Sequence, residues 1–159
     1  MKKLVLAVLL VLQVTSRGVH ALEIIGKVVG VSDGDTIAVM NNGKAEKIRL
    51  SGVDCPEKTQ AFGSRAKQFT SQAVFGEVVK VEYQKRDRYG RILGDVLMLR
   101  GQNLSEELLK AGMAWHYRQY SKSVLLQSLE DEARAEGLGL WSDKHATPPW
   151  EFRKERKKR

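Results

Sequence analysis

The chain has 159 residues, of which 42% are hydrophobic and 7% aromatic, and it carries a formal net charge of +8. This size and composition predict one globular domain with a modest core, and a single cysteine, Cys55, excludes an internal disulfide. The positive excess comes from the two ends of the chain, since residues 1–21 carry three cations and no acid and the chain ends in RKERKKR. Residues 22–152 are therefore about neutral.

Residues 1–21 have the pattern of a secretory signal peptide. Two lysines precede an apolar run over residues 4–12, and the sequence VHA at 19–21 is typical of a cleavage site. The run is much shorter than the roughly 20 residues that cross a bilayer, so we expect cleavage after Ala21 rather than a stable membrane anchor. The mature chain would begin at Leu22 and be secreted or periplasmic.

The mature chain begins with a strand pattern. Residues 23–31 and 35–40 are rich in β-branched and apolar residues on either side of the turn SDGD. The NNG sequence at 41–43 predicts a hairpin into a third strand, AEKIRLSGV, over residues 45–53. Strict alternation at 77–83 and an apolar run at 91–99 predict a fourth and a fifth strand, joined as a second hairpin.

Helical patterns follow the third and fifth strands. Apolar residues at 62, 66, 69 and 73 predict an amphipathic helix over 62–74. Ser105 can cap a second helix that stops at Gly112, and a third runs near 123–136 with three leucines on one face. This order predicts an α+β, mainly β fold, a five-stranded OB-type Greek-key barrel with about three packed helices. An antiparallel sandwich with helical additions stays open.

The C-terminal end is interpreted as a separate segment. We assign residues 1–21 to the signal peptide, 22–147 to the folded domain and 148–159 to a basic tail that Pro148 and Pro149 introduce. A run of like charges is usually disordered and solvated, which is what we expect of this tail. Such a segment attracts polyanions through a salt-sensitive field and through counterion release from a phosphate backbone.

Two aspartates are predicted to lie together at one end of the barrel. Asp35 shares side-chain parity with Ile37 and Val39, so it lies at the rim if those residues face the core. Asp54 ends the third strand in the same way. Two neighbouring carboxylates would repel each other unless a metal ion held them. The alternative is that DGD is a plain turn.

Carboxylates without a histidine or thiolate pattern favour a hard cation. Calcium fits best, because it accepts about six to eight oxygen ligands flexibly and leaves room for waters and a substrate phosphate. Magnesium stays open. Zinc is disfavoured, because His116 and His145 are isolated and Cys55 has no partner thiol.

The segment RLSGVDCPE at 49–57 combines both signs of charge. Glu57 follows Pro56, where a turn could return its carboxylate toward the metal to orient or deprotonate a water. Arg49, and Arg91 in the later DRYGR sequence, offer planar donors that fork onto phosphate oxygens. Each residue alone could be a surface residue, but together they suit a phosphodiester, a metal and a water.

Five motifs occur in the order and approximate spacing of a known family: VSDGDTIAV, IRLSGVDCPE, DRYGRILGDV, LLKAGMAW and LGLW. They resemble the secreted thermonucleases, the micrococcal-nuclease-like family, over most of residues 24–141. The resemblance implies an OB-type barrel and a calcium-dependent endonuclease that hydrolyses single- and double-stranded DNA and RNA to 3′-phosphorylated products.

The resemblance also implies a role for each matching position. Asp35, Asp54 and the backbone carbonyl of Cys55 look like metal ligands. Glu57 looks like the base, and Arg49 and Arg91 look like the phosphate-binding pair. The family often has threonine where Cys55 stands, and a thiol beside the site could be oxidised.

Aromatic residues supply the candidates for substrate binding: Tyr89, Tyr117 and Tyr120. Stacking on a nucleotide is the hypothesis, and packing against the protein is the alternative. Trp115 and Trp141 are expected to pack in the core.

The leading hypothesis is a metal-dependent phosphodiesterase that acts as a monomer on DNA and RNA. The alternative is a non-catalytic OB-type nucleic-acid-binding module, which would need cations and aromatic residues but not clustered carboxylates that repel phosphate. A cationic cell-surface or polysaccharide-binding protein would explain only the tail.

Overall fold

Five strands close into a barrel in this computed structural model, which describes residues 22–158. They are β1 (Leu22–Asp33), β2 (Thr36–Asn41), β3 (Lys44–Leu50), β5 (Val78–Arg86) and β6 (Ile92–Leu97). The order around the barrel is β1-β2-β3-β6-β5, and β5 pairs with β1 to close it. All neighbours are antiparallel except β3 and β6. The prediction of an OB-type barrel is confirmed, and the predicted signal peptide lies outside the described residues.

The remaining elements are helices and two short strands that lie outside the barrel sheet. Two short strands, β4 and β7, pair with each other outside it. The described residues contain four α-helices, where about three were expected, because one forms in the predicted tail. None of these helices has the length and apolar character needed to cross a membrane. The elements are β4 (Val53–Asp54), α1 (Gly63–Val74), α2 (Leu104–Lys110), β7 (Trp115–His116), α3 (Val124–Ala135), a 3₁₀ turn (Gly139–Ser142) and α4 (Pro149–Arg156).

The β2–β3 hairpin fixes the register that later positions the site. Its two-residue loop, Asn42-Gly43, has positive φ angles of 48° and 81°, as a type I′ turn requires. Asn41 pairs with Lys44, and the same register places Thr36 opposite Arg49 at the far end of the hairpin. The prediction from the NNG sequence is therefore confirmed.

The barrel core is built from alternating residues of its strands. Ile37 and Val39 of β2 and Ile48 of β3 are fully buried, as the period of two requires. Asp35, which has the same parity as Ile37 and Val39, is also buried at the end of this row. The core thus ends in a carboxylate rather than in an apolar side chain.

Two local predictions are wrong. The third strand does not run through to residue 53 but ends at Leu50, because Gly52 has a φ of 74° and breaks the extended backbone. Asp54 therefore belongs to the separate strand β4. Helix α2 is capped by Asn103, whose side chain accepts a hydrogen bond from the amide of Ser105, and not by Ser105 itself.

The expectation of a disordered, solvated tail is wrong for Pro149–Arg156, which form helix α4. Pro149 stands in the first turn, where its missing N–H costs nothing. The ring of Trp150 packs edge-to-face against Trp115 at 5.8 Å, so the helix is anchored to the domain. The run of like charges at the end of the chain is preceded by two aromatic residues, Trp150 and Phe152, which favour packing over a solvated tail.

Candidate active site

Two buried carboxylates converge on one guanidinium nitrogen. Asp35 Oδ2 and Asp54 Oδ1 each lie 3.0 Å from Nη2 of Arg49. The three side chains come from the end of the β2–β3 hairpin and from the adjoining strand β4. The structure therefore brings together three of the residues that the sequence singled out.

The backbone around this cluster fixes the side chains in place. Asp35 Oδ2 accepts a hydrogen bond of 2.7 Å from the amide of Cys55, which joins the start of β2 to the residue after β4. Arg49 Nη1 donates to the carbonyls of Leu50 and Val53, both at 2.8 Å. The Arg49 guanidinium thus spans the break between β3 and β4. This break, which the sequence did not predict, therefore helps to position the site.

Burial sets the electrostatics of the cluster. It raises the pKa of Asp35 to about 6 in spite of the neighbouring Arg49. Burial also raises the pKa of Asp54, where hydrogen bonds from Arg153 act in the opposite direction. The carboxylates lie where ionisation is costly, and a cation between them lowers that cost.

Glu57 lies at the edge of the same cluster. Its side chain is 31% exposed, and its amide donates to Oε1 of Gln60 in the loop after Pro56. Glu57 Oε1 and Asp54 Oδ2 each lie 2.8 Å from a nitrogen of Arg153. Glu57 is thus a neighbour of the buried aspartate and remains accessible to water, as the predicted turn at Pro56 requires.

Sequence reasoning missed Arg153, which reaches the cluster from helix α4. It was assigned to a solvated tail, and its partners lie 96 and 99 positions earlier in the chain. No local pattern reports a contact over that distance. Trp150 and Phe152, two aromatic residues among the charges, are the sequence signal that this segment packs against the domain.

Arg91 lies outside the carboxylate cluster. Its Nε donates to Asp87 Oδ2 at 2.8 Å, and Asp87 Oδ1 accepts from the amides of Tyr89 and Arg91. These bonds hold the pKa of Asp87 below its usual value, although burial acts against them. Arg91 immediately precedes β6, which pairs with the strand of Arg49. Within the described residues, no ion pair joins Arg91 to the carboxylates of the cluster.

Two of the three candidate tyrosines lie together beside the cluster. Tyr117 donates its amide to the carbonyl of Gly52 and packs edge-to-face with Tyr120 at 4.8 Å. Tyr89 lies apart from them, exposed on the β5–β6 hairpin with Arg91 above its ring. Core packing is confirmed for Trp115, which is buried, and Trp141 packs against it at 4.4 Å.

The donor atoms of the cluster suit a hard cation. Two buried carboxylates supply oxygen, and the residue that follows Asp54, Cys55, has a backbone carbonyl that could supply a third. The imidazole of His116 is engaged elsewhere, by Gln127 and Ser121, and burial raises the pKa of the Cys55 thiol. Residues 22–158 contain no group of three or more His, Cys, Asp or Glu side chains that could hold a metal. A calcium-type ion would therefore depend on the two aspartates, backbone oxygen and water.

Comparison with known proteins agrees with this architecture. Residues 47–143 match the model of the family described as "Staphylococcal nuclease homologue". An "Uncharacterized endonuclease" of Escherichia coli is 46% identical over 91% of this chain and 94% of its own length. A "Micrococcal nuclease" of Shigella flexneri is 43% identical over 81% of this chain and 80% of its own.

A plant relative extends the comparison. The "Staphylococcal-like nuclease CAN1" of Arabidopsis thaliana is 40% identical over 72% of this chain, which is 35% of that longer protein. The family model covers the barrel from the middle of β3 onward, together with the site segment at 49–57. The resemblance seen in the five motifs is confirmed, and the chain belongs to the staphylococcal nuclease homologue family.

Proposed function

We propose that this protein is a calcium-dependent endonuclease that hydrolyses the phosphodiester bonds of DNA and RNA and leaves 3′-phosphorylated products. The observation that supports it best is the convergence of Asp35 and Asp54 on Arg49, with Glu57 at the open edge of the same cluster. A pure nucleic-acid binder gains nothing from three carboxylates clustered beside its binding surface, because they repel phosphate.

Asp35, Asp54 and the carbonyl of Cys55 would hold the cation. Calcium, when bound, would supply positive charge beside the scissile phosphate and offset the cost of burying two carboxylates. The hydrogen bond from the Cys55 amide to Asp35 holds one of these two carboxylates in place. These donors suit calcium because all of them are hard oxygen atoms.

Glu57 and the two arginines would carry the hydrolysis. Glu57 accepts a proton from a water as the water oxygen attacks phosphorus. The bond between phosphorus and the 5′ oxygen then breaks, and the leaving oxygen takes a proton from solvent. Arg49 and Arg91 stabilise the additional negative charge on the phosphate oxygens in the transition state.

Tyr89, Tyr117 and Tyr120 would bind the nucleotides that flank the scissile bond. Tyr89 and Tyr120 are exposed, so their rings can reach bases without a rearrangement of the core. We also propose that the enzyme acts as a monomer in a secreted or periplasmic location. The location rests on the pattern of residues 1–21 alone.

The test is a digestion of end-labelled DNA and RNA by the mature protein, with calcium and with a calcium chelator in excess. We expect cleavage of both substrates only with calcium, and fragments that a 3′-phosphatase can dephosphorylate. Full cleavage in the chelator contradicts the metal role. Binding without cleavage in either buffer favours the non-catalytic module instead.

A further inference from the structure

Helix α4 lies on the candidate active site through Arg153. Its Nη2 lies 2.8 Å from Asp54 Oδ2, and its Nη1 lies 2.8 Å from Glu57 Oε1 and 3.3 Å from Asp54 Oδ1. Bidentate, charge-assisted hydrogen bonds of this kind are among the stronger contacts in proteins. Since Arg49 also binds Asp54 Oδ1, both oxygens of that aspartate are occupied by guanidinium groups.

A second anchor joins α4 to a candidate substrate-binding residue. The ring of Trp150 stacks on Tyr117 with a centroid distance of 5.4 Å and an interplanar angle of 1°. One face of Tyr117 is thereby covered by an aromatic ring of the protein's own C-terminal segment. Trp150 and Arg153 are three positions apart, so both project from the same side of the helix.

A third anchor ties α4 to the loop that carries Glu57. The side-chain amide of Gln60 donates to the carbonyl of Thr147, two residues before the helix begins. The side-chain oxygen of Gln60 accepts from the amide of Glu57. The three anchors therefore contact the candidate metal ligand, the candidate base and the candidate stacking residue.

The two side chains of α4 offer the same kinds of group that a metal ion and a nucleotide would offer at this site. Arg153 offers positive charge to Asp54 and Glu57, and Trp150 offers a flat ring to Tyr117. A divalent cation on Asp54 would need the oxygens that Arg153 occupies, and two cations at that distance would repel each other. The guanidinium and the metal ion are thus alternatives at the same carboxylate.

We propose that α4 is an autoinhibitory cap, in which Arg153 occupies the cation site and must leave before calcium binds. This inference rests on the proposed function, because it takes Asp54 as a metal ligand. Two properties of α4 would allow it to dissociate from the site. Arg153 is 34% exposed, and a helix of eight residues has little stability of its own once its contacts are broken.

Calcium titration calorimetry on the mature protein tests the cap without measuring activity. We expect Arg153→Ala to bind calcium more tightly by roughly 5- to 150-fold, the range of a typical coupling between two sites. Lys154→Ala is the matched control. It removes the same charge from the next residue of the helix, which is exposed, so its calcium affinity should stay close to that of the wild type.

A second variant releases the helix by a different route. Trp150→Ala removes the stack on Tyr117 but leaves the charge of Arg153, and it too should tighten calcium binding. Hydrogen exchange in the wild-type protein supplies an independent readout. The amides of residues 150–156 should exchange faster after calcium is added, while those of the barrel strands should not.

The outcomes separate this inference from the proposed function. Equal calcium affinities for the wild type, Arg153→Ala and Trp150→Ala overturn the cap while leaving a calcium-dependent nuclease intact. So does unchanged exchange in α4 at saturating calcium. If none of the proteins binds calcium, both the cap and the proposed metal site are wrong.

Discussion

Arg49 and Asp35 meet where two paired strands end, with the arginine Nη2 3.0 Å from the aspartate Oδ2. The register of the hairpin determines this contact, since Thr36 lies opposite Arg49 and Asp35 precedes Thr36. Asp54 reaches the same nitrogen from strand β4. The site is thus held by the rigid end of the barrel, while Glu57 approaches it from a loop.

Glu57→Gln should lower turnover by about 10²- to 10⁴-fold, the usual contribution of a general base. The amide keeps the size of the side chain but cannot take the proton of the attacking water. The measurement is kcat on a short DNA duplex at saturating calcium, with thermal unfolding as a check on the fold. Glu132→Gln on the exposed surface of α3 is the control, and near-normal turnover of Glu57→Gln would refute the role.

Arg91→Ala should also lower kcat by orders of magnitude, because it removes a donor to the phosphate in the transition state. Asp87→Ala tests how that donor is positioned. It removes the carboxylate that holds Arg91 Nε at 2.8 Å and should give a smaller loss of the same kind. Arg100→Ala, an exposed residue, controls for the loss of one positive charge. If the kcat values of Arg91→Ala and Asp87→Ala are as close to wild type as that of Arg100→Ala, Arg91 takes no part in the reaction.

Removal of residues 153–159 should weaken DNA binding at low salt, because the segment carries six cations and one acid. The salt dependence should become less steep by roughly 0.9 per lost phosphate contact on duplex DNA. Fluorescence anisotropy with labelled DNA measures both effects in a Glu57→Gln background that slows cleavage. Turnover at saturating calcium and DNA should be retained, and its collapse would show that the segment takes part in the reaction.

Cys55 should be almost inert to thiol reagents in the folded protein. It is only 4% exposed, and burial and the nearby Asp35 raise the pKa of its thiol, so little of the reactive thiolate is present near neutral pH. Colorimetric thiol titration should therefore be slow in buffer and fast in concentrated urea. A Cys55→Ser variant that also carries Lys144→Cys, at an exposed position, should react rapidly in both. Rapid labelling of native Cys55 would instead support a redox-sensitive site.

Local signals in the sequence were enough for most of the barrel. The Asn42-Gly43 turn and helix α3, with Ser123 as its N-cap, follow from residues that lie next to each other in the chain. The parity of Asp35 with Ile37 and Val39 placed that carboxylate at the rim.

The features that the sequence did not reveal depend on distant contacts. The break between β3 and β4 has a local signal in Ser51-Gly52, but strand β4 gains its own partner only from Trp115–His116, which lie about 60 residues later. Helix α4 is not predicted from the sequence because the like charges at the end of the chain outweigh its two aromatic residues, Trp150 and Phe152. The Arg153 contacts join positions that only the folded chain brings together.

The parallel pairing of β3 with β6 has a consequence for incomplete chains. A parallel pair cannot be closed by a hairpin, and here the connection between the two strands contains α1 and β5. A chain that ends anywhere between Leu50 and Ile92 leaves one edge of β3 with open hydrogen-bonding groups. Truncated products of this protein should therefore tend to aggregate by strand addition, which light scattering of a chain that ends before Ile92 would detect.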